Sequence, residues 1–153
     1  MHTLLKKRLL AAALALLSLV TLARPGVAAD GFKPVTINGG DQGALIIEVR
    51  NNKGVLYVRT GSFAVATVNV SKKRWVRLID AWHLARTAAE EGQSALIGVF
   101  KVSDDKRVGI EVDKKNVKLS LIDDTSSRTF TLYAEDQPVF NSAIERVLEH
   151  LED

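Results

Sequence analysis

The 153-residue chain has no cysteine, one methionine, three histidines and three prolines, and aromatic side chains make up only 6% of it. Without a thiol, the chain can have no disulfides, thiolate metal ligands, thiol nucleophiles or lipid-modified cysteine, so packing alone must hold the fold. The one methionine is Met1, and a copper or zinc centre would have to be built from separated histidines and carboxylates. There is no HExxH spacing for a zinc hydrolase and no GxSxG elbow for a serine hydrolase. The glycine-rich stretch Gly39-Gly40-Asp41-Gln42-Gly43 lacks the Lys-Ser/Thr that a phosphate-cradling loop needs. Asp123-Asp124 with Ser126 lacks the ligand spacing and closing glutamate of an EF-hand loop and reads as a solvated turn. No catalytic residue, metal ligand or cofactor is assigned, and an enzyme ranks third among the functional readings.

Long apolar runs are also scarce. The longest, Leu9 to Leu22, follows Lys6, Lys7 and Arg8 and ends before Arg24, Pro25 and Gly26. It is shorter than the roughly 20 residues a membrane-spanning helix needs. Val27 and Ala29 suit the small-residue pockets of a signal peptidase, so residues 1–29 are expected to be a cleaved signal peptide, with the cut before Asp30. This predicts a periplasmic or secreted protein with no membrane span after processing. The net charge of +3 belongs to the uncleaved chain. Loss of Lys6, Lys7, Arg8 and Arg24 leaves 17 basic against 18 acidic residues, so the mature net charge is −1 and gives no overall nucleic-acid signal. The remaining residues, 30–153, suit a single domain.

Within that span, short β-type runs alternate with polar turns. Ala44 to Arg50 is one strand, and Asn51-Asn52-Lys53-Gly54 is a hairpin signal leading into Val55 to Thr60. Ser62 to Val70 is a third strand, and Val35 to Asn38 forms an edge strand before them. Ser71 stands where a helix N-cap belongs, and Trp75, Leu78, Ile79, Trp82, Ala85 and Ala89 share one helical face, predicting a helix to about Glu91 with Gly92 as its stop. A second strand series runs through Ala95 to Ser103, Arg107 to Asp113, Asn116 to Asp123 and Arg128 to Ala134. A final helix starts near Gln137, with Asp136 at its cap, Pro138 in its first turn, and Phe140, Ala143, Ile144, Val147 and Leu151 on its buried face.

The two halves, about 35–92 and 93–153, read as one unit used twice. Ile47-Glu48-Val49, a turn and Val55-Leu56-Tyr57-Val58 answer to Ile110-Glu111-Val112, a turn and Val117-Lys118-Leu119-Ser120. Trp75, Leu78, Ile79 and Trp82 fall opposite Phe140, Ala143, Ile144 and Val147 at a constant offset of 65. A unit this small cannot bury both a sheet face and a helix stripe, so the expected fold is α+β, with two ββ(ββ)α repeats sharing one core and antiparallel sheet backed by two helices.

This doubled order, with the Asn-Asn-Lys-Gly hairpin and the strand-into-helix passage between Ala44 and Trp82, resembles the PUR repeat and the related "whirly" single-stranded nucleic-acid-binding proteins over residues 35–151. The resemblance implies curved sheets backed by helices, frequent homodimers and nucleic acid bound across the sheet. An export signal and an acidic second half depart from that family pattern.

Two surfaces are candidates for binding. With Ile47, Val49, Leu56 and Val58 facing inward, alternation turns Arg50, Tyr57 and Arg59 outward, where an aromatic ring between guanidinium groups suits a ring or base carrying an anion. The helix start Ser71-Lys72-Lys73-Arg74, with Arg77 one turn on, places cations where the helix dipole disfavours them, by roughly 0.3 to 1 kcal/mol each. An anionic partner would relieve that, or else acids in the second half pair with these side chains. Residues 30–92 hold nine basic and six acidic groups, and residues 93–153 hold eight and twelve, a polarity that favours oriented association. The leading reading is a non-enzymatic exported binding protein for a protein or anionic ligand, followed by a single-stranded nucleic-acid-binding protein.

Overall fold

A computed structural model of the chain describes residues 31–153. The expected signal peptide and its cleavage point lie outside the described residues. The first four strands are β1 (Val35–Asn38), β2 (Ala44–Arg50), β3 (Lys53–Thr60) and β4 (Phe63–Val70), paired antiparallel in that order. Helix α1 (Lys72–Glu90) follows. Strands β5 (Ala95–Lys101), β6 (Arg107–Asp113), β7 (Asn116–Ile122) and β8 (Ser127–Leu132) make a second antiparallel sheet in sequence order, and α2 (Gln137–Glu149) ends the series. The structure is thus α+β, with two similar four-strand-plus-helix units.

Local chemistry explains most boundaries. Asn51 and Asn52 both adopt positive φ, 51° and 54°, the two-residue turn that matches the twist of a hairpin, and Arg50 accordingly pairs with Lys53. Gly92 at φ 69° takes the left-handed position that stops α1, and Gln93 N–H closes the turn onto Ala88 O at 2.9 Å. Ser71 occupies the expected cap position with an extended backbone, and its carbonyl accepts the Trp75 N–H at 2.8 Å. Its hydroxyl makes no capping bond, nor does the Asp136 side chain at the start of α2. Strands β5 and β8 end two residues earlier than the pattern suggests, because Ser103 to Lys106 and Tyr133 to Asp136 close as turns.

The helices exchange sheets. Helix α1 packs on β5, β6 and β7 of the following unit, whereas α2 packs on β1 and β2 of the preceding one, and the two helices touch each other. A single apolar cluster therefore contains Leu45, Ile47, Leu56 and Val68 from the first sheet, Val108, Ile110, Leu119 and Phe130 from the second, and the stripes of both helices. The eight helix positions related by the offset of 65 are all buried. Both indole N–H groups are satisfied inside this core. Trp75 Nε1 donates to Ile144 O at 2.8 Å, and Trp82 Nε1 donates to Asn141 Oδ1 at 2.9 Å.

Three of the four sheet edges are blunted, as an exposed edge is otherwise a template for unwanted pairing. The short helical turn Gly40–Gln42 brings the Gln42 amide against β8, where Thr131 N–H donates to Gln42 Oε1 at 2.6 Å and Gln42 Nε2 donates to Thr131 O at 3.4 Å. Lys106 Nζ donates to Thr67 O of β4 at 2.9 Å. Strand β1 is four residues long and lies under α2. Strand β5 is the remaining edge, interrupted by a bulge between Leu96 and Gly98 but without a covering contact from Val99 to Lys101 among the described residues.

Candidate functional site

The seven residues singled out in the sequence lie at four separate places. On the outer face of the first sheet, Tyr57 and Arg59 are neighbours two residues apart on β3. Arg50 is not beside them. Tyr57 pairs with Ile46, so Arg50 lies four positions away along β2, about 14 Å at the usual strand rise, and its guanidinium is paired with Glu48. Tyr57 is half-buried, and its register partner Ile46 is only 3% exposed although it faces outward. Much of the Tyr57 ring therefore serves to cover Ile46, leaving Arg59 as the accessible cation beside it.

The basic helix start divides in two. Lys72 Nζ lies 2.9 Å from Asp153 Oδ1. Beside it Asn52 holds the backbone of Glu152 at two points, accepting its N–H at 2.7 Å and donating to its carbonyl at 3.2 Å. Lys72 and Lys73 thus share a cleft of about 400 Å³ with Lys53, Asn52, Glu152 and Asp153. An acid from the second half does meet this part of the cluster. The Asp153 side chain is almost fully exposed, so solvent screens the pair to about 0–1 kcal/mol.

Arg74 and Arg77 point elsewhere, into a cleft of about 230 Å³ between α1 and the end of β5, completed by Leu78, Val99, Phe100, Lys101 and Val102. The spacing of three puts both arginines on one flank of α1, and β5 runs back beside that flank after the turn at Gly92. Neither arginine pairs with a carboxylate among the described residues. Lys101 lies 3.6 Å from Asp104, both side chains being open to solvent. Arg74, Arg77 and Lys101 thus line one cleft with Leu78, Val99, Phe100 and Val102, and the planar guanidinium forks suit bidentate contact with carboxylate or phosphate. Sequence reading missed Lys101 because the two arginines that share its cleft stand 24 and 27 residues earlier, on another element. The only signal was a lysine in an otherwise apolar strand.

The remaining titratable groups serve local structure. His83 Nε2 lies 3.7 Å from Glu145 Oε1, half-exposed on both sides. His150 Nδ1 meets Arg146 O at 2.8 Å, its ring stands edge-on to Phe32, and Arg146 lies over the Phe32 ring at 5.3 Å. The Asp123 carboxylate accepts the backbone N–H groups of Thr125 and Ser126 at 2.8 and 2.7 Å and both hydroxyls, and these bonds, the Thr125 N–H foremost, lower its pKa to about 2. Its Oδ1 is therefore spent on its own turn. No cluster of three metal-ligating side chains occurs among the described residues, and no helix among them is long and apolar enough to cross a membrane. Compared with protein-family models and with curated proteins, the chain matches none.

Proposed function

We propose that the chain is a non-enzymatic exported binding protein that engages a protein or other anionic partner through Arg74, Arg77 and Lys101. The observation that carries this reading is the pair of arginines without carboxylate partners, aimed into a cleft with an apolar floor. A structural role would pair them, as Lys72 is paired with Asp153. Cations in the opening turns of α1 cost stability against the helix dipole, a cost that an anionic ligand offsets.

Replacing Arg74 and Arg77 together with glutamate is expected to leave the melting transition nearly unchanged, within about 0.5 kcal/mol, because Arg77 is exposed, Arg74 is half-buried with no carboxylate partner among the described residues, and acids suit the start of a helix. Retention on a polyanion matrix should fall at least about tenfold, equivalent to about 1.4 kcal/mol. Unchanged retention with an unchanged melt would remove the proposal.

Export rests on the leader Lys6-Lys7-Arg8, the run Leu9 to Leu22 and the box Val27-Ala28-Ala29. The intact mass of the secreted form is expected to correspond to a chain starting at Asp30. Retention of residues 1–29 would refute the cleavage.

A second reading, single-stranded nucleic-acid binding of the PUR or whirly type, as a homodimer in that family's manner, draws support from the doubled four-strand-plus-helix order and from Tyr57 beside Arg59 on an outer sheet face. It requires affinity for an oligonucleotide that falls steeply and linearly with the logarithm of salt concentration. It also requires that affinity to drop on Tyr57→Ala.

A further inference from the structure

Strand β5 borders the same cleft, and its outer edge differs from the other three. Its seven residues include no proline, and Leu96 and Val99 stand 72% and 52% exposed on its outward face. The Val102 N–H donates to Lys106 O at 2.9 Å across the β5–β6 turn. By antiparallel alternation Phe100 faces β6 in the same way, and Val99 and Lys101 turn their N–H and C=O groups to the open side. The β8 edge is occupied by the Gln42 amide, β4 receives Lys106, and β1 is short and covered. No comparable contact covers β5 at these positions among the described residues.

Beside this edge runs one flank of α1. Arg74, Arg77, Ala81, Leu84 and Ala88 recur at the spacing of a single helical stripe, and Leu84 is exposed. The cleft between stripe and strand is basic where Arg74 and Arg77 share it with Lys101, and further along Leu84 on the stripe and Leu96 on the outward face of β5 are exposed apolar side chains.

We propose that β5 is a docking edge for an extended acidic segment of a partner protein. The segment adds a fifth strand to the second sheet, with its backbone paired to Val99 and Lys101 and its carboxylates turned towards α1, where they meet Arg74 and Arg77. This rests on the reading of the cleft as an anion-contact site and adds the polypeptide nature of the anion. Strand addition takes affinity from the main chain and selectivity from alternate side chains. Here, side chains turned towards α1 meet the arginines and Leu84, and those turned outward meet Leu96, Val99 and Lys101. A nucleic acid or a simple polyanion satisfies the cations but has no peptide groups for the open strand edge.

The test uses the protein beginning at Asp30 and a seven-residue peptide alternating valine and glutamate, unmodified or N-methylated at every second amide. The unmodified peptide is expected to bind and to slow amide exchange at Val99 and Lys101 by about tenfold or more, as pairing protects an edge. N-methylation on the pairing side should weaken binding by at least about tenfold with no change in charge, as should Arg74→Glu with Arg77→Glu. Equal binding of both peptides, with both lost in the charge-reversed protein, would overturn strand addition and leave the anionic reading standing. Binding unaffected by charge reversal would overturn that reading as well. An oligothymidylate that displaces the peptide while leaving exchange at Val99 and Lys101 unchanged would also overturn strand addition, in favour of a nucleic-acid ligand. A shift to dimer that protects the same amides without peptide would assign the edge to a second copy of the chain and overturn the proposal.

Discussion

Trp82→Ala is expected to destabilise the protein by about 3 to 5 kcal/mol, a large part of the 5 to 15 kcal/mol that holds a domain of this size together. Trp82 is fully buried and belongs to the α1 stripe that packs on the second sheet. Its ring meets Phe140 edge-on at 4.6 Å, and its N–H reaches Asn141, so it also joins α1 to α2. Because each helix covers the other unit's sheet, a cavity at this crossing loosens both halves at once. Urea unfolding followed by far-UV circular dichroism measures the loss, and a single transition should shift as a whole. A change under about 1 kcal/mol, or separate transitions for the two halves, would show that the crossing does not join them as described.

Gly54→Ala is the second substitution with a large expected effect, although it adds only a methyl group. Gly54 lies in β3 with an ordinary backbone conformation, paired with Val49 and Val70. A Cβ there would fall 2.4 Å from Trp75 Cε3 and 2.5 Å from Cζ3, well inside van der Waals contact. The indole cannot easily move away, since it is fully buried and its Nε1 is bonded to Ile144 O. Overpacking of this kind typically costs about 1 to 3 kcal/mol, and the rigid ring and its hydrogen bond place this site at the upper end. Thermal denaturation of the variant gives the value. A melt indistinguishable from the parent would mean that the hairpin and α1 can separate without penalty. Combining Gly54→Ala with Trp75→Leu should recover part of the Gly54→Ala loss, because the smaller side chain leaves room for the methyl group.

The cleft and the core differ in how legible they were. Strand and helix spans follow from period-2 and period-3.6 patterning, because the side chains that alternate or recur are those that leave water. The pairing of Trp75, Leu78, Ile79 and Trp82 with Phe140, Ala143, Ile144 and Val147 was visible for the same reason, and all eight are buried. The basic helix start was visible as a local violation of dipole preference. How it divides was not. Lys72 goes to Asp153, 81 residues away, and Arg74 and Arg77 line a cleft with Lys101 on another element. Arg50 looked equivalent to Arg59 by alternation alone, since alternation fixes the face but not the position along it. Pairing with Glu48 and the register of Ile46 with Tyr57 separate the two.

By itself the sequence determined the secondary structure, the duplication, the inward-facing residues and the need for a shared core. These depend on local periodicity and on the area a small unit must bury, both of which are written along the chain. Only the tertiary structure decided that the helices exchange sheets, that Gln42 and Lys106 cover two strand edges while β5 keeps its own open, and that Arg74, Arg77 and Lys101 meet. Each of these is a contact between residues far apart in the chain, fixed by how two amphipathic layers fill one volume. No pattern within a single element encodes which remote partner will fill it.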